Sequence, residues 1–333
     1  MKRSERWIRV ICLACILAAS SEAMPNAKKI SAIRPVHTYS IIAYDPKTGE
    51  LGAAVQSHWF KVDDVIWVEP GIGAVATQSF TELTYGSLGI EMMKKGKTAI
   101  QALKALLAAD EQKSVRQVAM IDVKGNVTAH TGKRCIEHAG HEMGKTFSVQ
   151  ANIMENSTVW DAMAEAYKKT RGDLATRMMA ALEAAQKEGG DIRGKQSAAM
   201  IVMSGKPTGQ ISKDTVVDIR VDDSRTPLKE LRRLLDISRA YRHMERGDEH
   251  MAAGKIKPAG KEYKLASKLA PDNPEIPFWH AVALASSGRL KMSLPIFKDV
   301  FAEDEAWRRL IPRLVKAHLF PGDEKILKAV LSQ

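Results

Sequence analysis

The stretch HTYSIIAYDPKTGELGAAVQS, residues 37–57, decides how this chain folds. Residues 38–45 (TYSIIAYD) are β-branched and aromatic, Asp45-Pro46-Lys47-Thr48-Gly49 is a turn cluster, and residues 50–57 (ELGAAVQS) resume the strand pattern. Together they predict a β-hairpin. A third strand is expected over residues 73–80, and apolar residues at helical spacing predict helices over 83–95 and 98–109, with a stop at Gly96. Strands return at 116–122 and 126–131 around Lys124-Gly125-Asn126, and again at 146–152. Helices are expected at 157–170 and 173–188, closed by Gly189-Gly190, before strands at 196–203 and 214–223. Hairpin-joined strands alternating with helix pairs predict a layered α+β sandwich, not a doubly wound parallel sheet.

The composition suits this reading. Of 333 residues, 45% are hydrophobic and 27% charged, which excludes a disordered, collagen-like or low-complexity protein and leaves room for about two domains. The net charge of +11 is unevenly spread, because residues 37–228 hold 23 basic and 23 acidic side chains. The excess sits in residues 1–36 (seven basic, two acidic) and 229–333 (20 basic, 14 acidic). A neutral central segment lacks the concentrated basic face that phosphate binding requires, so no nucleic-acid partner is expected.

Lys2 to Arg9 form a basic n-region ahead of the apolar run at 10–19, and Ser21-Glu22-Ala23 supplies small residues for cleavage after Ala23. The run is shorter than the roughly 20 residues a bilayer span needs. Residues 1–23 thus read as a signal peptide and 24–36 as a linker or pro-segment, giving an exported, periplasmic or secreted protein of bacterial type with no membrane span after signal removal. Cys12 and Cys15 fall in the leader, so Cys135 alone remains and no internal disulfide is expected.

The C-terminal part, 237–333, reads as all helical with an internal repeat. Gly254 and Gly288 are 34 residues apart, as are Tyr263 and Phe297, and Pro271 follows the second helix of the first unit. Thirty-four residues is the tetratricopeptide period. The segment resembles two such repeats over about 239–304, capped by a helix pair at 305–331.

Chemistry-bearing residues gather in two turns of the central segment. Residues 129–141 (AHTGKRCIEHAGH) carry His130, Thr131, Cys135, His138 and His141. No zinc-finger or His-Glu-x-x-His spacing is present, so no metal is expected and the histidines read as backbone-bonding turn residues. Residues 189–199 (GGDIRGKQSAA) place Asp191 and Arg193 on a glycine-rich loop ahead of Gln196 and Ser197. Arg193 there is suited either to grip a carboxylate or to pair locally with Asp191. No Ser-His-Asp spacing, phosphate loop or dinucleotide fingerprint occurs, and no cofactor is expected.

With those blocks in view, HTYSIIAYDPKTGELGAAVQS, GIGAVATQSFTELTYGSLGIEMM, AHTGKRCIEHAGH, SVQANIM and GGDIRGKQSAAMIV, taken in order, closely resemble the domain-of-unknown-function family numbered 1028. The resemblance covers residues 37–236. It implies a fold like that of the N-terminal-nucleophile hydrolases, a four-layer αββα sandwich with two antiparallel sheets face to face. In such enzymes the first residue of the mature chain attacks an amide, and its own α-amine, of ordinary pKa about 7.7–8.0, is the base.

Carried over block by block, the resemblance implies Thr38 as nucleophile, with Ser40 and Asn152 beside it as catalytic residues. Ser57, Thr77, Gln78, His130, Thr131, Asp191, Arg193, Gln196 and Ser197 are the implied substrate contacts. Thr38 also has an ordinary role, as a β-branched strand residue. Cleavage after Ala23 alone leaves residues 24–37 ahead of Thr38, so the free-amine mechanism requires a second cut at His37–Thr38. Two functions follow. One is an exported amidohydrolase acting on a small amide or peptide-like substrate. The other is a non-catalytic binding protein, whose basic helical repeats dock a protein or cell-wall partner or hold a homo-oligomer together.

Overall fold

The computed structural model describes residues 38–333. The expected signal peptide, the linker and the His37–Thr38 junction's first residue lie outside the described residues. In chain order the elements are β1 (Thr38–Tyr44), β2 (Leu51–Ser57), β3 (Ile66–Glu69), β4 (Gly73–Ser79), α1 (Thr84–Lys94), α2 (Ala99–Ala109), β5 (Arg116–Asp122), β6 (Val127–Thr131), β7 (Gly140–Met143), β8 (Phe147–Ala151), α3 (Val159–Lys169), α4 (Leu174–Lys187), β9 (Ser197–Met203), the single turn α5 (Ile211–Asp214) and β10 (Thr215–Val221). Six helices follow: α6 (Pro227–Ala252), α7 (Ile256–Leu269), α8 (Glu275–Ser286), α9 (Leu290–Glu303), α10 (Glu305–Lys316) and α11 (Glu324–Leu331). The chain is mixed α+β with antiparallel sheets and a helical C-terminal region.

The sheets are ordered β10-β9-β2-β1-β8-β7 and β3-β4-β5-β6. Alternation along each strand sends its side chains to two different cores. Ile42, Ala53, Val55, Ala74, Ala119 and Ile121 pack between the two sheets. Tyr39, Ile41 and Val149 turn the other way and pack under Met163, Met178 and Leu182 of α3 and α4. On the far side Val75, Val118 and Met120 pack against Ile90, Met93 and Leu103 of α1 and α2. The packing order is therefore helix pair, four-stranded sheet, six-stranded sheet, helix pair.

Two strands escape the sequence reading. β3 is four residues long and only Ile66 of it is buried, so its period-2 signal is too short to count. β7 (GHEM) has no buried side chain and forms an edge of its sheet, where pairing with β8 supplies the order that its sequence does not.

α6 runs unbroken through residue 236, where a domain boundary was expected. Its Leu228, Leu231 and Leu235 complete the core under the six-stranded sheet, whereas Ala240 joins Tyr263, Ala266 and Ile276 in a separate helical core. One helix thus serves both parts. α7 and α9 each span 14 residues, and their starts, Ile256 and Leu290, are 290 − 256 = 34 residues apart. The turns before them carry Gly254 (φ +71°) and Gly288 (φ +78°), a backbone conformation that glycine adopts at no steric cost. Among the described residues no helix is long and apolar enough to cross a membrane.

Two expectations test this packing. A Cβ on Gly86 would lie 2.1 Å from the Trp67 ring that covers α1, so Gly86→Ala should lower stability by about 2 kcal/mol through overpacking, measured as a shift in denaturant midpoint. His280 stacks on Tyr263 at 4.1 Å, and burial holds its imidazole at about 4, below the ordinary 6.5. A depressed folded value means that the neutral ring is favoured by folding, so this stability is complete above pH 6.5 and is lost as pH falls towards 4. Thermal melts across that window should show a steeper acid loss for the native chain than for His280→Phe, which keeps the stack.

Candidate functional site

One end of the sandwich is polar where the rest of its interior is apolar. The start of β1, the ends of β2, β4 and β6, and the starts of β5, β7 and β9 all meet there, because the strands are antiparallel and in register. Thr38, Ser40, Ser57, Gln78, Gln117, Ser148, Gln150, Asn152 and Ser197 are all buried to 1% exposure or less. Buried polar groups are tolerable only when bonded, and these bond chiefly to one another.

Gln117 is the hub. Its Oε1 accepts from Gln78 Nε2 at 2.7 Å and Asn152 Nδ2 at 2.9 Å. Its Nε2 donates to Ala151 O, Gly140 O and Thr131 Oγ1 at 2.9, 3.1 and 2.9 Å. The two carbonyls fix which end of the amide is the donor. Gln78 and Thr131 belong to the four-stranded sheet, Gly140 and Ala151 to the six-stranded one, so this one side chain ties the two together.

Thr38 stands at the head of β1 with its hydroxyl facing between the sheets, donating to Ser57 Oγ at 3.2 Å. Its carbonyl is held by three donors: Gln78 Nε2 at 3.0 Å, Asn152 Nδ2 at 3.3 Å and the Asn152 backbone N–H at 3.2 Å. Asn152 Oδ1 is buried with no hydrogen-bond partner among the described residues, leaving an open acceptor opposite Thr38. Deeper in, Gln150 Nε2 donates to Ser40 Oγ and Ser40 Oγ to Gln78 Oε1, both at 2.6 Å.

The backbone here is held in uncommon conformations. Ser79, directly after Gln78, has φ +69°, and Ile153, directly after Asn152, has φ +55°. A β-branched residue in the left-handed region costs on the order of 1–3 kcal/mol, which the surroundings must offset. Both strained residues follow a side chain that bonds the Thr38 carbonyl.

Of the residues singled out from sequence, Thr38, Ser40, Ser57, Gln78, Thr131 and Asn152 come together in this network. Ser197 pairs with Ser57 across the strands and donates to Trp59 O at 2.5 Å. Gln196 donates from its backbone to Ser57 O and from its side chain to Asp223. Asp191 is buried and receives Arg193 Nε and Nη2 at 3.0 and 2.7 Å, as well as the His58 backbone N–H. That is the local ion pair, set one residue beyond Ser57 at the rim.

Two residues point elsewhere. Thr77 lies on the helix-facing side of β4 and reaches Glu82 O at 3.4 Å. His130, next to Thr131 on β6, turns outward to Lys113 O. Gln117 and Gln150 were missed, although a glutamine inside an otherwise apolar strand is itself a signal of a buried polar site.

Beside the network lies an open cleft of about 610 Å³, lined by Thr131, Cys135, Glu137, His138, His141 and Trp160 among others. It sits at the edge where β6 of one sheet meets β7 of the other. Thr131 Oγ1 and His141 Nδ1 are 2.8 Å apart. Burial, and secondarily His130, lowers the affinity of His141 for a proton. His138 bonds the Met154 and Glu155 carbonyls, as its reading as a turn residue anticipates. Burial raises the Cys135 thiol above its ordinary range, and its S–H points to Arg116 O; a catalytic thiolate would need the opposite shift. Among the described residues no group of three or more His, Cys, Asp or Glu is placed to hold a metal ion.

The profile of a family of unknown function, DUF1028, matches residues 38–231, which is more than half the chain. The chain belongs to the DUF1028 family. It is also similar to the crystal structure of protein SPO2555 from Silicibacter pomeroyi, another DUF1028 protein. The two share 26% identity with a TM-score of 0.53, over 60% of this chain and 88% of that one. No curated protein matches it in sequence. The family region starts at Thr38 and stops inside α6, so the later helices are an addition to the DUF1028 region.

If Gln117 organises this end, Gln117→Leu should be costly. It removes five hydrogen bonds while keeping the side chain's bulk. A loss of about 3 kcal/mol is expected, and a melt unchanged from the native chain would contradict the assignment.

Proposed function

We propose that the DUF1028 region is an amide hydrolase of the N-terminal-nucleophile type, with Thr38 as its nucleophile, acting on a small amide or peptide-like substrate. The observation that carries this reading is the position of Thr38: first residue of β1, hydroxyl between the sheets, carbonyl gripped by three donors. The order of helix pair, sheet, sheet, helix pair supports the same reading.

In this mechanism a cut at His37–Thr38 frees the α-amine. The amine takes the Thr38 hydroxyl proton while Oγ1 bonds to the substrate carbonyl carbon. The C–N bond then breaks, the proton passes to the leaving nitrogen, and water cleaves the resulting ester. The amides of Asn152 and Gln78 give both their hydrogens to the Thr38 carbonyl and Gln117 Oε1, so in this reading they position the nucleophile. Asn152 Oδ1 is the acceptor that would orient the new amine. We further propose that the protein is exported by its leader, and that the helices from α6 onward form a tetratricopeptide-like module for a protein or cell-wall partner.

The burial of Thr38 in the uncut chain favours a second reading, a binding protein in which the network is purely structural. The two part on one comparison. Protein beginning at Thr38 should hydrolyse members of a small-amide panel, and Thr38→Ala should lose about 1,000-fold or more of that rate with its melt retained. Equal rates in the two proteins would leave the binding reading standing.

A further inference from the structure

We propose that Thr131 and His141 form a nucleophile–base pair of their own, with which the uncut chain hydrolyses acyl esters in the cleft beside the network. This goes beyond the Thr38 reading and needs no free α-amine.

The geometry rests on three observations. Thr131 Oγ1 lies 2.8 Å from His141 Nδ1, within reach for direct proton transfer. Behind it stands Gln117 Nε2 at 2.9 Å, a donor only, so the threonine proton is left for the imidazole. Both residues line the same open cleft of about 610 Å³. The pair spans the two sheets, β6 to β7, and the Gln117 amide that fixes Thr131 also bonds the Gly140 carbonyl next to His141. Its spacing is therefore set by the sandwich and not by a mobile loop.

The cleft also indicates the substrate class. Trp160 forms one wall, packed so closely on Gly140 that a Cβ there would lie 2.6 Å from the indole. A flat aromatic group can stack on that ring. Burial makes His141 a weak base, so it activates Thr131 only modestly and suits an activated ester whose leaving group departs readily. Aryl esters of small acids meet both conditions.

In the first step the Thr131 proton moves to His141 Nδ1 as Oγ1 bonds to the acyl carbon. The ester C–O bond then breaks, and the imidazole returns that proton to the aryl oxide. Water, the second substrate, gives a proton to His141 as its oxygen adds to the acyl carbon. The Thr131 ester bond breaks and Oγ1 recovers the proton.

The test uses the uncut chain with 4-nitrophenyl acetate, whose release of nitrophenolate is followed in the presence and absence of excess water-soluble imidazole as the background control. Thr131→Val and His141→Gln should each lose about 100-fold of the protein-dependent rate, and Thr131→Ser should recover most of it. Trypsin cuts after Lys133 and Arg134, which separates Thr131 from Cys135, His138 and His141. Acid-quenched protein should carry the acetyl group on the peptide that ends at Lys133. Acetyl only on the Cys135 peptide, or a folded Thr131→Val that reacts as fast as the native chain, overturns the proposal. Because residues ahead of Thr38 are retained throughout, this outcome is independent of whether Thr38 is a nucleophile.

Discussion

The amide of Gln117 is the constraint on which the polar end of this protein depends. Fully buried inside the sandwich, the side chain must find partners for both its oxygen and its nitrogen, and it does so in both sheets at once. A hydrogen bond in a low-dielectric interior is stronger than one in water, and the cost of breaking it is correspondingly larger. The two sheets are thereby held at one separation and register where their apolar contacts end. Everything near it inherits that precision: the Thr38 carbonyl through Gln78 and Asn152, and the Thr131 hydroxyl directly.

This explains why strain gathers at the same place. Ser79 and Ile153 follow immediately after Gln78 and Asn152, and each turns through the left-handed region to leave its strand. A chain free to relax would not keep isoleucine there. The network fixes the preceding amide, and the backbone beyond must bend to suit it. Stability is being spent to keep two side chains aimed at one carbonyl, which is the arrangement expected where a site must be ready before its ligand arrives.

Much of the architecture is legible in the chain itself. The hairpin of residues 38–57, the paired helices and the long central strands follow from period and turn chemistry, because each is long enough for its pattern to repeat. β3 and β7 are not legible: Ile66–Glu69 and Gly140–Met143 are four residues each and owe their order to neighbours. The site was harder. Thr77 and Gln78 are adjacent, as are His130 and Thr131, and a strand sends adjacent side chains to opposite faces. Only the register shows that Gln78 and Thr131 face inward while Thr77 and His130 face the outer layer. Gln117 itself resembles any polar residue in RQVAMID until its five partners, drawn from four other strands and the residue after one of them, are in place.

The division of the molecule also follows from one helix. α6 closes the core under the six-stranded sheet with its first half and opens the helical core with its second, so the added helices follow the DUF1028 region on one unbroken helix. We propose that this region is built around Thr38 as a chain terminus in waiting. The most direct test is the intact mass and N-terminal sequence of the protein recovered from cells that make it. A mature chain beginning at Thr38 is the predicted result. A mature chain that keeps residues ahead of Thr38 would contradict the account, since the α-amine it requires would not exist.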